Sequence, residues 1–237
     1  MEVRIIFNSE AVSEKLSTGW GFSCLVNNEI LFDTGEKGEY LFNNMAALDI
    51  DIAQIKKVVI SHDHWDHTGG LWKLLEQRKG LEVYACPNFS EEFKHKVRQL
   101  QGVLIESKEI MAIAKDIFLT GEIPGTYNNK DMPEQSFIVN TQNGISVITG
   151  CAHPGILNIL EKVKSGFPNY QIHAVFGGFH LKNEKESIIE DIANKFQAMG
   201  VKKTGPTHCS GSIAENIFKR KYGDSFMFLK AGQGLNI

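Results

Sequence analysis

Four residues able to hold a metal ion, His62, His64, Asp66 and His67, fall within six positions of the segment VVISHDHWDHTGG, residues 58–70. Imidazole and carboxylate are donors that suit zinc, manganese and iron. The apolar run before Ser61 reads as a strand. Alternate residues of an extended segment point the same way, so His62 and His64 can share one ion. The turn through Asp66 and His67 can offer a carboxylate and a third imidazole to a second ion, and Gly69-Gly70 permits a close-packed start to a helix near Leu71. Only 8 histidines occur in the whole chain, so three of them in one hexapeptide argue against a plain solvated loop. Two neighbouring ions would acidify water at neutral pH, stabilise charge on the attacked group and orient the leaving group. That chemistry fits hydrolysis of an ester, amide or phosphodiester, with Asp66 able to hold the attacking water. No GxxxxGK[ST] segment and nothing resembling a Ser-His-Asp arrangement competes with it.

Three later segments repeat the pattern of a histidine just after an apolar strand or beside glycine or proline: ITGCAHPGI at 148–156, VFGGFHL at 175–181 and PTHCSG at 206–211. They contribute His153, His180 and His208. Cys151 precedes His153 by two positions; it reads as a small buried thiol, and a zinc-ligating thiolate is the alternative reading. His95, in SEEFKHKVRQL, reads as a solvated helix-face residue, and His173 begins a strand; neither is assigned a role.

Strands and amphipathic helices must position these side chains. Strand-like runs are predicted at 3–7, 22–26, 29–33, 57–61, 81–85, 116–120, 136–140, 144–149, 172–176 and 226–230, with a further short strand near 201–205. Helical periodicity is predicted near 37–48, 69–78, 90–100, 155–165, 185–199 and 211–221. Within the fifth of these, Ile188, Ile189, Ile192, Ala193 and Phe196 share helical spacing, and Gly200 offers a stop. Asn27-Asn28 marks a tight turn between two strands. The stretch 121–135, GEIPGTYNNKDMPEQ, is the least regular and reads as a surface loop of the length that often carries function. With no linker, repeat or low-complexity tract, the expectation is one domain over 1–237, of α/β class with sheets covered by helices.

Bulk composition is that of an ordinary soluble globular protein. Hydrophobic residues make up 42% and charged residues 22% of 237, which needs no disulfide or metal staple to fold. A formal net charge of -3 argues against a broad basic face for nucleic acid. The N-terminal segment lacks the pattern of a secretory signal, no apolar run approaches a membrane span, and Cys24, Cys86, Cys151 and Cys209 form no disulfide framework. A cytoplasmic setting, no membrane partner and a small-molecule substrate are the expectations.

The motif His62-X-His64-X-Asp66-His67 after an apolar strand, with LFDTG at 31–35 upstream, resembles the metallo-β-lactamase superfamily. The resemblance implies a four-layer αββα sandwich with a dinuclear metal centre at one edge of its sheets. It implies His62, His64 and His153 on one ion, and Asp66, His67 and His208 on the other, with Asp33 supporting them from behind. Two zinc ions are the implied cofactor, with manganese or iron as substitutes. Many members carry an aspartate bridging the metals where this chain has Cys151. An extra histidine near the place of His180 protonates the leaving group in some phosphodiesterase branches, which makes Asp66 and His180 the candidate catalytic residues. WGFSCLV at 20–26, GCAHPGI, GGFHL and THCSG resemble more narrowly the dihydropterin–ribofuranosylaminobenzene-phosphate synthase-like subgroup. The leading expectation is therefore a metal-dependent hydrolase-type enzyme acting on a phosphorylated or ester-like small molecule, with Lys130 and Lys182 as candidate phosphate contacts. The alternatives are a pterin-condensing synthase on the same centre and an iron-bearing oxidoreductase.

Overall fold

The computed structural model describes Met1–Ile237. Its residues pack in two compact units, Met1–Lys108 with Leu229–Asn236, and Glu109–Phe228 with Ile237. Each unit is a sheet carrying helices and its own apolar core, the α/β class expected from the sequence. No helix is long and apolar enough to cross a membrane.

The first unit sets β1 (Glu2–Phe7), β2 (Ser23–Val26), β3 (Ile30–Phe32), β4 (Lys57–Val59), β5 (Glu82–Ala85) and β6 (Val103–Glu106) side by side, with the strand Gly234–Asn236 outside β1. Strands β1 to β3 run antiparallel and β3 to β6 parallel. The connections dictate the change. Asn27 and Asn28 take positive φ of 50° and 58°, the hairpin geometry that joins neighbouring antiparallel strands. The parallel strands need crossovers, supplied by α1 (Gly38–Ala47), α2 (Trp65–Thr68), α3 (Leu71–Gln77) and α4 (Glu91–Gln99). Val58, Val59 and Ile60 are fully buried, as a continuous apolar run in a central parallel strand should be. Around them pack Leu31, Leu41, Leu74, Val83 and Phe93.

The second unit contains β7 (Met111–Ala114), β8 (Ile117–Leu119), β9 (Thr126–Tyr127), β10 (Lys130–Asp131), β11 (Phe137–Thr141), β12 (Gly144–Thr149), β13 (Ile172–Gly178) and β14 (Lys203–Thr207). Its six-stranded sheet has the order β7-β8-β11-β12-β13-β14, with β12, β13 and β14 parallel. Helices α5 (Ile156–Gly166), α6 (Glu186–Ala198) and α7 (Gly211–Tyr222) complete it. Pro206 is tolerated in β14 because that strand is an edge. Of the predicted stripe on α6, Ile189, Ala193 and Phe196 are buried, Ile192 is half-buried and Ile188 is exposed, and Gly200 follows in a left-handed conformation.

Two expectations need correction. The segment 226–230 is not a strand. It makes one isolated bridge, Phe226 to Thr204, and Met227 N–H donates to the Thr204 carbonyl at 2.7 Å. Phe228 is half exposed, so the apolar run that suggested a strand serves no ladder. The stretch 121–135 is not all surface loop either. Asn128-Asn129, with φ of 50° and 60°, turns a short exposed hairpin of β9 and β10, while Glu134 and Gln135 at its end are fully buried.

In both units the chemistry-bearing residues lie just past the carboxyl ends of parallel strands, where ligands of α/β sheets gather. Asp33 follows β3 and His62 follows β4; Cys151, His180 and His208 follow β12, β13 and β14.

Candidate metal centre

In the first unit, Asp33 organises the ligand turn. Its fully buried carboxylate accepts from the Ser61 backbone N–H at 2.7 Å, from the Ser61 hydroxyl at 2.7 Å, and pairs with His67 Nδ1 at 2.6 Å. Thr34 grips the same turn from its other side, its N–H and its hydroxyl both donating to the His67 carbonyl, at 2.8 and 2.7 Å. The LFDTG segment therefore holds the HDHWDH segment in place by main-chain and side-chain bonds together. Gly69 and Gly70 have ordinary right-handed backbones, so their requirement is room. A Cβ at Gly69 would stand 2.0 Å from the Glu36 carbonyl oxygen, and one at Gly70 would stand 2.4 Å from that of Thr34.

These bonds decide which ring nitrogens face outward. Asp33 occupies His67 Nδ1, leaving Nε2 toward Asp66 Oδ2 at 3.5 Å. Burial alone would lower the pKa of His67, but Asp33 and then Asp66 outweigh it and hold the imidazole well above its usual value. His62 Nδ1 lies 2.9 Å from the Ser61 hydroxyl, and its Nε2 lies 3.1 Å from His64 Nδ1. Two imidazole nitrogens bound to one tetrahedral zinc at about 2.05 Å each would stand about 3.3 Å apart. The donor pair His62 Nε2 and His64 Nδ1 therefore fits a shared zinc ion. Changing Asp33 to Asn should weaken zinc binding about 10- to 100-fold, because the amide cannot accept from all three partners while orienting His67. Competition against a chelating dye would measure it, and unchanged affinity would refute the supporting role. The middle residue, Asp63, points elsewhere: it accepts from the Ser90 N–H at 3.1 Å and from the Ser90 hydroxyl, tying the turn to the start of α4.

In the second unit a different carboxylate does the organising. Fully buried Glu134 accepts from the backbone N–H groups of Cys151 and Ala152, both at 2.9 Å, and of His153 at 2.8 Å. It thus fixes the loop that carries two candidate ligands. Cys151, His153 and His180 offer donor atoms within 4.8 Å of one another, as do Cys151, His208 and Cys209. The His153 and His180 rings lie 4.5 Å apart, and Tyr127 stands edge-on to both. Burial raises the pKa of the Cys209 thiol, but hydrogen bonds from Cys151 and His180 and the charge of His208 bring it well below the usual value. His180 is pushed up, chiefly by its hydrogen bond with Cys209 and against the effect of burial.

Asp33, Ala152, His180 and His208 all take positive φ, between 54° and 62°. A left-handed conformation costs a residue with a side chain about 1–2 kcal/mol, and such strain gathers where structure over-determines a functional geometry. Sequence reading put Asp33 behind His62, His64, Asp66 and His67, and assigned His153 to one ion with His62 and His64 and His208 to the other with Asp66 and His67; the structure gathers Cys151, His153 and His180, and Cys151, His208 and Cys209, within the second unit. Sequence reading missed Glu134, whose only signal was a carboxylate in an apparent loop, and Cys209, which stood unremarked beside His208.

A family model described as the metallo-β-lactamase superfamily matches residues 26–157. A 7,8-dihydropterin-6-methyl-4-(β-D-ribofuranosyl)-aminobenzene-5′-phosphate synthase of Methanocaldococcus jannaschii is 28% identical, over 88% of this chain and 84% of its own length. An uncharacterized protein of the same organism is 27% identical over 99% of this chain and 100% of its own. The crystal structure of a metal-dependent hydrolase of the β-lactamase superfamily superposes with a TM-score of 0.84 at 31% identity, covering 100% of this chain and 99% of that one. With the ligand turn, its buried supporting aspartate and this match over more than half its length, the chain belongs to the metallo-β-lactamase superfamily.

Proposed function

We propose that the chain is a metal-dependent enzyme with two ions, one held by His62, His64 and His153 and the other by Asp66, His67 and His208, acting on a phosphorylated or ester-like small molecule. The observation that carries this reading is the 3.1 Å approach of His62 Nε2 to His64 Nδ1, with the other ring nitrogen of His62 beside Ser61 and that of His67 on Asp33. Imidazoles so oriented give an entering ion the lone pair of the outward nitrogen, the proton of His67 leaving as the ion binds. Zinc suits the donor set, with manganese or iron as substitutes. Bound divalent ions supply Lewis acidity, acidifying water and neutralising charge that develops on the attacked group.

The chain's own residues do the rest. Asp66, at the start of α2, orients the attacking water. His180, exposed and beside His153, gives a proton to the departing oxygen. Lys130 and Lys182 are the candidate cations for a phosphate on the substrate. Cys151 stands where a bridging carboxylate is common in the family; its buried thiol packs as a small apolar group and is a candidate additional donor.

A second reading, a synthase condensing a pterin with a phosphorylated aromatic riboside, is favoured by the name of the Methanocaldococcus jannaschii relative. One assay set separates the two: a phosphodiester, an aryl ester, and the paired pterin and aminobenzene riboside phosphate. His180→Ala should lower kcat on the accepted substrate by about 100-fold or more at unchanged metal content. If metal content fell together with kcat, His180 would be a ligand and the proton-donor role would be withdrawn. If all substrates were inert with a fully loaded protein, the proposed activity itself would fail.

A further inference from the structure

One arm of the second unit holds the histidine loop at three levels. From Ile123 to Glu134 the chain folds back on itself. Ile123 and Glu134 exchange backbone hydrogen bonds at 2.9 and 3.0 Å, and the Met132 N–H donates to the Gly125 carbonyl at 2.8 Å. Thr126 and Tyr127 then pair with Asp131 and Lys130. Positive φ at both Asn128 and Asn129 is the tight-turn geometry that fixes this register. Register decides direction, because a slip of one residue would turn Tyr127 to the opposite face of the arm. At the base, Glu134 carries the backbone N–H groups of Cys151, Ala152 and His153. Midway, the arm lies against the next peptide of that loop. A Cβ at Gly125 would stand 2.8 Å from the Pro154 nitrogen and 2.9 Å from the His153 carbonyl carbon.

At the tip, Tyr127 meets the imidazoles themselves. Its ring centroid lies 5.2 Å from that of His153 and 5.7 Å from that of His180, at interplanar angles of 66° and 83°. In such edge-to-face pairs the positive edge of one ring meets the negative face of the other, and rotation of either ring is resisted. The constraint bears unequally on the two histidines. His153 is half-buried and its main chain is fixed by Glu134, whereas His180 is exposed. A hydrogen bond with Cys209 ties His180 at one ring nitrogen. One bond leaves the imidazole a rotation about it, and the contacts with Tyr127 and His153 are what limit that rotation. Tyr127 is itself 39% exposed and stands outside the apolar core of the unit, so core packing does not account for its ring.

We propose that Tyr127 is a positioning residue for His180: its ring, not its hydroxyl, holds the exposed imidazole in the orientation from which it hands a proton to the departing oxygen. The inference rests on the reading of His180 as the proton donor and adds the residue that aims it. A proton donor has to come within about 2.6–3.2 Å of its acceptor, and a ring that rocks spends little of its time in line.

Two variants separate ring from hydroxyl: Tyr127→Phe keeps the ring and Tyr127→Leu removes it. The first readout needs no substrate. Carbethoxylation of His180 by diethyl pyrocarbonate is followed by peptide mass spectrometry on the full chain with its metals. The leucine variant should react at His180 about two- to tenfold faster, the range that one aromatic pair contributes, and the phenylalanine variant at the native rate. The second readout is steady-state kinetics on whichever of the phosphodiester, the aryl ester and the paired synthase substrates the native protein turns over. Tyr127→Leu should lower kcat about tenfold or more at unchanged KM and metal content, and Tyr127→Phe should restore it. In a His180→Ala background Tyr127→Leu should cost nothing further, because a residue that acts through another is not additive with it. Unchanged His180 reactivity in the leucine variant overturns the proposal, and so does a phenylalanine variant as impaired as the leucine one. Losses in kcat that multiply in the double variant overturn it too, as does metal content that falls with kcat, which would place the effect on His153. A fully loaded native protein inert on all three substrates would instead sink the proposed activity, while the modification rates still decide whether Tyr127 holds His180.

Discussion

Replacing His64 and Asp66 together with alanine is expected to abolish metal binding at both positions and to lower any turnover by at least about 10³-fold, the scale of several kcal/mol of lost charge stabilisation. Metal analysis of protein purified without added metal is the measurement. The native chain should carry about two equivalents of zinc or manganese, one for each proposed ligand set, and the double variant should carry close to none. Far-ultraviolet circular dichroism should be unchanged, because His64 and Asp66 cap and begin the short α2 while the sheet core beneath is apolar and independent of them. About two equivalents of iron would turn the search toward redox chemistry. Absence of metal from well-folded native protein, even after reconstitution, would remove the foundation of the proposed function.

The second large effect is expected at Glu134. Replacing it with alanine strands three backbone N–H groups, of Cys151, Ala152 and His153, in a buried loop. A buried donor left without its acceptor costs about 1–3 kcal/mol, and water entering the vacated space recovers part of that. A net loss of about 3 kcal/mol would lower Tm by about 6–12 °C in a chain of this size. Ala152, already held at a φ of 62°, is the residue least able to keep its conformation once the carboxylate is gone. The loop should then release His153, so zinc affinity should fall with stability. Glu134→Gln separates the two roles: it retains an acceptor oxygen for part of the set and should keep more of the stability than of the metal affinity. Calorimetry beside zinc competition reads both, and a Glu134→Ala protein with native Tm and native affinity would show that the loop holds itself.

Much of this architecture was legible because its signals are local. The HDHWDH cluster, the apolar run ahead of it and the Asn27-Asn28 turn each declare themselves within a few residues. So do the stripes on α5 and α6, whose buried positions match the helical spacing read from sequence. Strand β6 escaped because Val103 and Glu106 are exposed and its pairing with β5 is the only reason it is extended. The segment 226–230 misled in the opposite way, carrying a strand-like apolar run with no ladder beyond one bridge. Asn128-Asn129 repeats the turn chemistry of Asn27-Asn28, but the two-residue strands flanking it are too short to show alternation. Glu134 was invisible for a deeper reason. A charged residue in a polar stretch reads as solvated, and its burial depends on three N–H groups 17 to 19 positions away, which no periodicity reports.

The strand Gly234–Asn236 pairs with Glu2, Val3 and Arg4 at the opposite end of the numbering. During synthesis, therefore, the first unit has most of its sheet available long before its border strand exists. Until then the outer side of β1 offers unpaired N–H and carbonyl groups, the kind of border that recruits strands from other molecules. The pairing also makes the first unit discontinuous in sequence, since Leu229–Asn236 must come back to it after the whole of the second unit has been made. Contacts this distant along the chain form slowly. A nascent chain of this protein thus passes through a period in which its candidate metal-ligating turn is already translated while the sheet that supports it still has an open side, and helpers that shield exposed strands would act in that window.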